Sequence, residues 1–291
     1  MVSLYEQIKR RNGMIQDINE TYDNTYHRYV IEDEDAVLIY KGYSVLIKKD
    51  GKGTVFPSFR ETGGKPDSFI YLFSVGEKRF FIPASGEDMT VKGCDFTDLR
   101  SLFDTERNSP AAFAAVTGMQ LNNWYRTRRY CGRCGSLNVM GEKERTLVCP
   151  NCGLTEYPKI SPCVIIGITD GDRIVMTKYA EGYDKFALVA GFCEIGESFE
   201  AAIRREVMEE VGLKVKNITY YDSQPWSYSD SLLAGFFCEV DGDKTITVDG
   251  YELKEAGWYT RDEVPDKRDS ISLTGKMMDF FKHNEIKLTE R

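Results

Sequence analysis

GFCEIGESFEAAIRREVMEEVGL, spanning Gly191–Leu213, gathers Glu194, Glu197, Glu206, Glu209 and Glu210, besides Glu200, into one loop and one helix. Leu188, Val189 and Ala190 just before it read as the end of a buried strand, and Gly191 and Gly196 as the glycines of a tight loop. Ser198 is placed to cap a helix that stops at Gly212. On that helix Phe199, Ile203, Val207 and Val211 recur every four residues and form a core-facing stripe. At about 100° per residue, Glu206 and Glu210 fall at the margin of the stripe, not on the solvated face. Like charges one turn apart repel by a few tenths of a kcal/mol, so a positive partner is expected between them. Oxygen-only donors on one ridge suit Mg²⁺ or Mn²⁺, which bridge to substrate phosphates. A solvated acidic helix is the plain alternative for carboxylates that stand alone.

Outward from this unit, 161–291 reads as one domain. CVIIGIT (163–169) and RIVMTK (173–178) flank Asp170-Gly171-Asp172, a hairpin signal, and FALVA (186–190) leads into the acidic helix. LKVKNITYY, SLLAGFFCEV and AGWYT supply further strands. Helices at 198–211 and 274–282 around a mixed sheet make an α/β/α sandwich.

Upstream, Cys131, Cys134, Cys149 and Cys152 form C-x2-C-x14-C-x2-C, with Gly135 and Gly153 after each pair. Four thiolates close a tetrahedral site without an open position, so one structural Zn²⁺ is expected in a ribbon over 128–160. Arg126, Arg128, Arg129 and Arg133 beside it offset the thiolate charge, or reach a phosphate or a nucleic acid. Residues 1–127 carry short β-rich runs, AVLIY (36–40), SVLIK (44–48), FIYLFSV (69–75) and RFFIP (79–83), then helical segments near 97–106 and 110–126. They predict an antiparallel α+β domain, with IEDEDA (31–36) as a solvated turn. The class is therefore α+β multidomain.

With 42% hydrophobic residues among 291, the chain is long enough for two or three cores. A net charge of −8 disfavours a general nucleic-acid coat protein. No apolar run is long enough for a membrane helix, and MVSLYEQIKR lacks the apolar region of a signal peptide, so a cytoplasmic protein without membrane partners is expected.

The opening stretch resembles the Nudix box, G-x5-E-x7-R-E-U-x-E-E-x-G-U, at every fixed position: Gly191, Glu197, Arg205, Glu206, Val207, Glu209, Glu210, Gly212 and Leu213. The resemblance implies a hydrolase that uses two or three Mg²⁺ or Mn²⁺ ions on a diphosphate linked to another moiety. It makes Glu206, Glu209 and Glu210 metal ligands and catalytic candidates, with Arg205 holding Glu209 by an ion pair. By the same pattern Glu255 and the carbonyl of Ala190 are further ligands.

Ser223–Ser231, SQPWSYSDS, is similar to the SQPWPFPxS motif of the NADH pyrophosphatase branch, with serines at two proline positions and Tyr for Phe. It makes Gln224, Pro225, Trp226, Ser227, Tyr228, Ser229, Asp230 and Ser231 substrate-contact candidates; a turn plugging the sheet edge is the alternative. Phe192 and Tyr157 match the family aromatics that clamp the nicotinamide, the second from a partner subunit, which implies a homodimer. The implied reaction is attack of water on one phosphorus of NADH or NAD⁺, giving nicotinamide mononucleotide and AMP, and extends to NAD-capped RNA 5′ ends. Alternatives are a Nudix hydrolase for ADP-ribose or another nucleoside diphosphate derivative, and a zinc-ribbon factor that binds RNA ends.

Overall fold

A computed structural model of the chain describes residues 13–49, 53–85, 89–106, 108–180, 185–248, 250, 252–266, 270–286 and 288. The chain divides into two compact units, Gln16–Lys159 and Ile160–Arg291, the latter together with Met1–Ile15. Met14 accordingly packs in the core of the second unit, fully buried.

The first unit holds β1 (Tyr22–Asp23), β2 (Ala36–Val37), β3 (Tyr40–Lys41), β4 (Ser44–Lys49), β5 (Thr54–Val55), α1 (Phe59–Thr62), β6 (Phe69–Val75), β7 (Lys78–Pro83), β8 (Asp95–Asp98), α2 (Leu99–Thr105) and α3 (Pro110–Thr127). One sheet runs β1-β6-β7-β2 and the other is built on β4, which pairs β3, β5 and β8. Pairing is antiparallel except β2 with β7. The run AVLIY, expected as one strand, serves both sheets: Ala36 pairs Phe80 and Tyr40 pairs Val45. Ala36 through Ile39 are all buried, so neither face of the run is marked by a polar residue. The solvated turn expected at IEDEDA is half right, because Asp35 is buried and accepts two 2.8 Å bonds from Arg79. Helix α3 starts at Pro110 under a Ser109 cap. Gly118 lets it pack closely on the side chains of Leu38 and Tyr40, since a Cβ there would lie 2.4 Å from Leu38 Cδ1 and 2.5 Å from the Tyr40 hydroxyl.

A three-stranded antiparallel ribbon of β9 (Val139–Met140), β10 (Leu147–Val148) and β11 (Thr155–Glu156) follows, with β10 central.

The second unit contains β12 (Ser161–Asp170), β13 (Arg173–Tyr179), β14 (Val189–Phe192), α4 (Phe199–Val211), β15 (Val215–Trp226), β16 (Ser231–Val240), β17 (Leu253–Thr260) and α5 (Leu273–His283). Its sheet runs β15-β16-β12-β13-β17, with β12 parallel to β16 and its N-terminal half paired to β14. Alternate residues of β12 divide between the two faces. Val164, Ile166 and Ile168 pack with Ile203, Val207 and Val211 of α4, while Cys163 and Ile165 pack with Leu273, Met277 and Phe281 of α5. This is the expected mixed sheet between two helices.

Candidate active site

The site grows from the junction of β14 and α4. Ser198 Oγ accepts the amide of Ala201 at 3.2 Å, and Gly212 closes the helix in the left-handed conformation, φ 70°. Gly196 turns the loop at φ 92°. Gly191, expected in that loop, instead lies within β14 opposite Val164. Its lack of a side chain has another use: a Cβ there would fall 2.0 Å from Glu206 Cδ. The strand thus leaves a cradle that the Glu206 carboxylate fills.

Arg205 organises the rest. Its Nε and Nη2 donate to the two carboxylate oxygens of Glu197 at 2.7 and 2.8 Å. Nη1 donates to Glu206 Oε1 at 2.7 Å and to Glu209 Oε2 at 3.0 Å, and Nη2 also reaches the Phe192 carbonyl at 2.9 Å. The Arg205–Glu209 pair is present as expected, but the forked, bidentate partner is Glu197, which the sequence reading left without a role. The fixed spacing of Glu197 to Arg205 was the signal. Arg205 holds Glu197 at about 2, below the ordinary carboxylate value, with help from the Glu194 amide.

Burial raises the pKa of Glu206 despite Arg205, and the neighbouring charges of Glu209 and Glu252 raise it further. Glu252 is thus an acidic neighbour that the sequence reading did not single out. Glu210, on the same ridge, is 3% exposed, whereas Glu209 is open to solvent. Of the expected stripe, Ile203, Val207 and Val211 are fully buried; Phe199 is exposed, its ring 5.7 Å from that of Phe236.

Among the described residues no three carboxylates converge within 4.8 Å. Glu255 has partners of its own on β13 and β17. Lys178 donates to its Oε2 at 2.9 Å and Tyr259 to its Oε1 at 3.0 Å, which together hold its pKa down. Ala190 lies in β14 opposite Ile165, its side chain packed on the α5 side of the sheet.

The stretch 223–231 is a hairpin, with Trp226 of β15 paired to Ser231 of β16. Gln224, expected to touch substrate, is fully buried, and its amide is consumed by the chain: Nε2 donates to the Ile271 carbonyl and Oε1 accepts the Leu273 amide, both at 2.7 Å. It ties β15 to the start of α5. Ser227 and Ser231 are buried, Ser231 Oγ lying 2.8 Å from Ser229 Oγ. The Asp230 carbonyl accepts the Ser161 amide at 2.7 Å, from a backbone at φ 52°. Trp226 packs against the α5-side core with its ring 5.3 Å from Tyr228, and Pro225 is exposed. Phe192 in the second unit is 51% exposed, and Tyr157 in the first is 60% exposed, with its hydroxyl donating to Glu144.

In the ribbon, the four sulfurs of Cys131, Cys134, Cys149 and Cys152 lie within 4.8 Å of one another. Cys131 and Cys152 are 3.5 Å apart, Cys134 and Cys149 3.4 Å. Zinc–sulfur bonds of about 2.3 Å put tetrahedral sulfurs about 3.8 Å apart, so the donor set fits one Zn²⁺. Gly135 (φ 73°) and Gly153 (φ 72°) turn each knuckle, and the amides of Arg133 and Cys152 reach Cys131 and Cys149 sulfurs at 3.4 Å. The other cysteines are free, and burial pushes the Cys163 thiol up to about 12.

Residues 159–278 match the model of the NUDIX domain family, and 126–157 that of the NADH pyrophosphatase zinc ribbon domain. The two matched regions follow one another along the chain, the ribbon first. NAD-capped RNA hydrolase NudC of Citrobacter koseri is 42% identical over 154 residues, 52% of this chain and 59% of that protein. The protein of the same name from Escherichia coli O9:H4 is 43% identical over 155 residues. The match thus spans about three-fifths of the length of these curated relatives. Among solved structures, a Nudix hydrolase from Nitrosomonas europaea is similar at TM-score 0.45 and 20% identity, over 53% of this chain and 90% of that one. The box acids Glu206, Glu209 and Glu210 lie on α4 within the first matched region, and the four ribbon cysteines within the second. No helix of the described residues is long and apolar enough to cross a membrane.

Proposed function

We propose that this chain hydrolyses the pyrophosphate bond of NADH or NAD⁺, giving nicotinamide mononucleotide and AMP, and acts likewise on NAD-capped RNA 5′ ends. The observation that carries the reading is an intact Nudix acid ridge in the same chain as an NADH pyrophosphatase ribbon. Proteins named NAD-capped RNA hydrolase at 42% identity favour the same substrate class.

The ridge fits divalent ions, because its donors are all oxygen and Gly191 keeps space for the Glu206 carboxylate. Glu206 and Glu210, with Glu209, would hold them. When bound, Mg²⁺ or Mn²⁺ supplies positive charge to the diphosphate oxygens and lowers the pKa of the attacking water. The chain's own contribution is positional. Arg205 fixes Glu206 and Glu209 relative to the Glu197 loop, so that the carboxylates stand preorganised before substrate arrives. Phe192, exposed beside this group, offers one face to the nicotinamide, and Tyr157 of a partner subunit in a homodimer the other.

The test is kcat/KM of the purified chain, with Mg²⁺ or Mn²⁺, for NADH, NAD⁺, ADP-ribose and NAD-capped RNA. NADH, NAD⁺ or the capped RNA should exceed ADP-ribose by at least about tenfold, equivalent to about 1.4 kcal/mol. A preference for ADP-ribose would overturn the reading.

A further inference from the structure

In the first unit, a cavity of about 290 Å³ opens between β5, the start of β7 and the N-terminus of α3. Phe56 and Phe80 give it an apolar wall, their rings edge to face at 5.9 Å. Two opposite charges, Lys78 and Glu106, line it as well. Lys78 is exposed and Glu106 half-buried, so neither is sealed away from the space they share. Lys78 opens β7 two residues before Phe80, and strand alternation puts both side chains on one face.

The chain provides for the two charges unequally. Glu106 Oε1 accepts the Thr54 hydroxyl at 2.8 Å and Oε2 the Ser109 hydroxyl at 3.2 Å, and both hydroxyl residues line the cavity too. A carboxylate accepts about four hydrogen bonds, so these two fix the group and leave it able to accept more. The positive end of the α3 dipole, which starts at Pro110, favours an acid here. Lys78 has no such support. No carboxylate lies at ion-pair distance from its ammonium among the described residues. The surrounding chain desolvates the amine enough to lower its pKa, and the charge of Lys48 adds to the effect. A lysine that was merely solvated at a hairpin would not be depressed in this way.

We propose that this cavity binds a free α-amino acid with an apolar side chain, its carboxylate on Lys78, its ammonium on Glu106 and its side chain against Phe56 and Phe80. Ligand cavities run from about 300 Å³ upward, and a volume at that lower end suits a molecule of amino-acid size. Each end of the zwitterion meets a group of opposite sign in a charge-assisted hydrogen bond. A plain carboxylic acid would leave Glu106 without a cation, and a plain amine would leave Lys78 without an anion, so the pair asks for both charges on one ligand. The site shares no residue with the acidic helix, and its failure would leave the hydrolase reading intact.

Equilibrium binding to the full, zinc-loaded chain is measured with L-phenylalanine and L-leucine as probes, beside 3-phenylpropionate, which lacks the ammonium, and phenethylamine, which lacks the carboxylate. L-phenylalanine should bind at least tenfold tighter than either truncated analogue. Lys78→Met, at an exposed position, should lower its affinity at least tenfold, toward that of phenethylamine, with Tm and zinc content unchanged. Glu106→Gln should lower it by a similar factor, toward that of 3-phenylpropionate. An analogue that binds as tightly as L-phenylalanine, no binding of either amino acid, or an amino-acid affinity that Lys78→Met leaves unchanged would overturn the proposal.

Discussion

At Gly191 the missing side chain matters more than backbone freedom, because the residue sits in a strand and its Cβ position is held by Glu206. Gly191→Ala is therefore expected to leave the fold standing while displacing the carboxylate. A shift near 1 Å at a reacting centre costs on the order of 10²-fold in rate, so kcat should fall by about that factor at near-unchanged Tm; a kcat close to wild type would remove the cradle's role. Glu197 has a different signature. Its pKa is depressed in the folded chain, so its stabilisation is complete above the ordinary value of 4.5 and is lost as pH falls toward about 2. Tm measured against pH should decline through that window, and Glu197→Gln should flatten the decline. For Phe192, stacking on nicotinamide gives about 0.5 to 1.5 kcal/mol, so Phe192→Ala should lower kcat/KM for NADH by up to about tenfold and spare ADP-ribose; an equal loss on both would show that the ring merely packs the loop. The identity and spacing of the box residues were legible in the sequence. What each one touches was not, because a spacing along α4 says nothing of what β14 places opposite it.

For the elements, alternation and helical period told most of the second unit, since each β12 residue has one face and α4 one buried stripe. They failed where a run is buried on both faces, as at Ala36–Ile39, and where a polar residue is enclosed by the chain. Gln224 is the second kind: nothing in SQPW distinguishes an amide that reads a ligand from one that caps α5. Gln224→Leu leaves the buried Leu273 amide and the part-buried Ile271 carbonyl without these partners. At about 1 to 3 kcal/mol for each such group, denaturant unfolding should show a loss of roughly 2 to 6 kcal/mol. A variant of unchanged stability and raised KM for NADH would return Gln224 to the substrate site.

At the scale of the whole molecule, the order of ribbon, box and SQPW stretch was readable, whereas the architecture of the N-terminal sheets and the burial of Met14 in the second unit were not, because tertiary partners distant in sequence decide both. Two kinds of metal site with opposite chemistry occupy one chain. The ribbon offers four sulfurs already within 4.8 Å, two of them, Cys131 and Cys149, buried. The acidic ridge offers oxygens that are not drawn together among the described residues, so an ion there must be completed by water and substrate. The two sites should therefore part company on dialysis. Brief treatment with a weak chelator is expected to abolish hydrolysis and leave one zinc per chain by elemental analysis, with activity restored by Mg²⁺ or Mn²⁺. Cys149→Ser, by contrast, should lose the zinc and the solubility of the protein together, because metal binding and folding of such a ribbon are one equilibrium. A folded Cys149→Ser chain with its full zinc content would rule out the four-thiolate site, and zinc leaving in step with activity would show that the ribbon metal, not the ridge, is the exchangeable one.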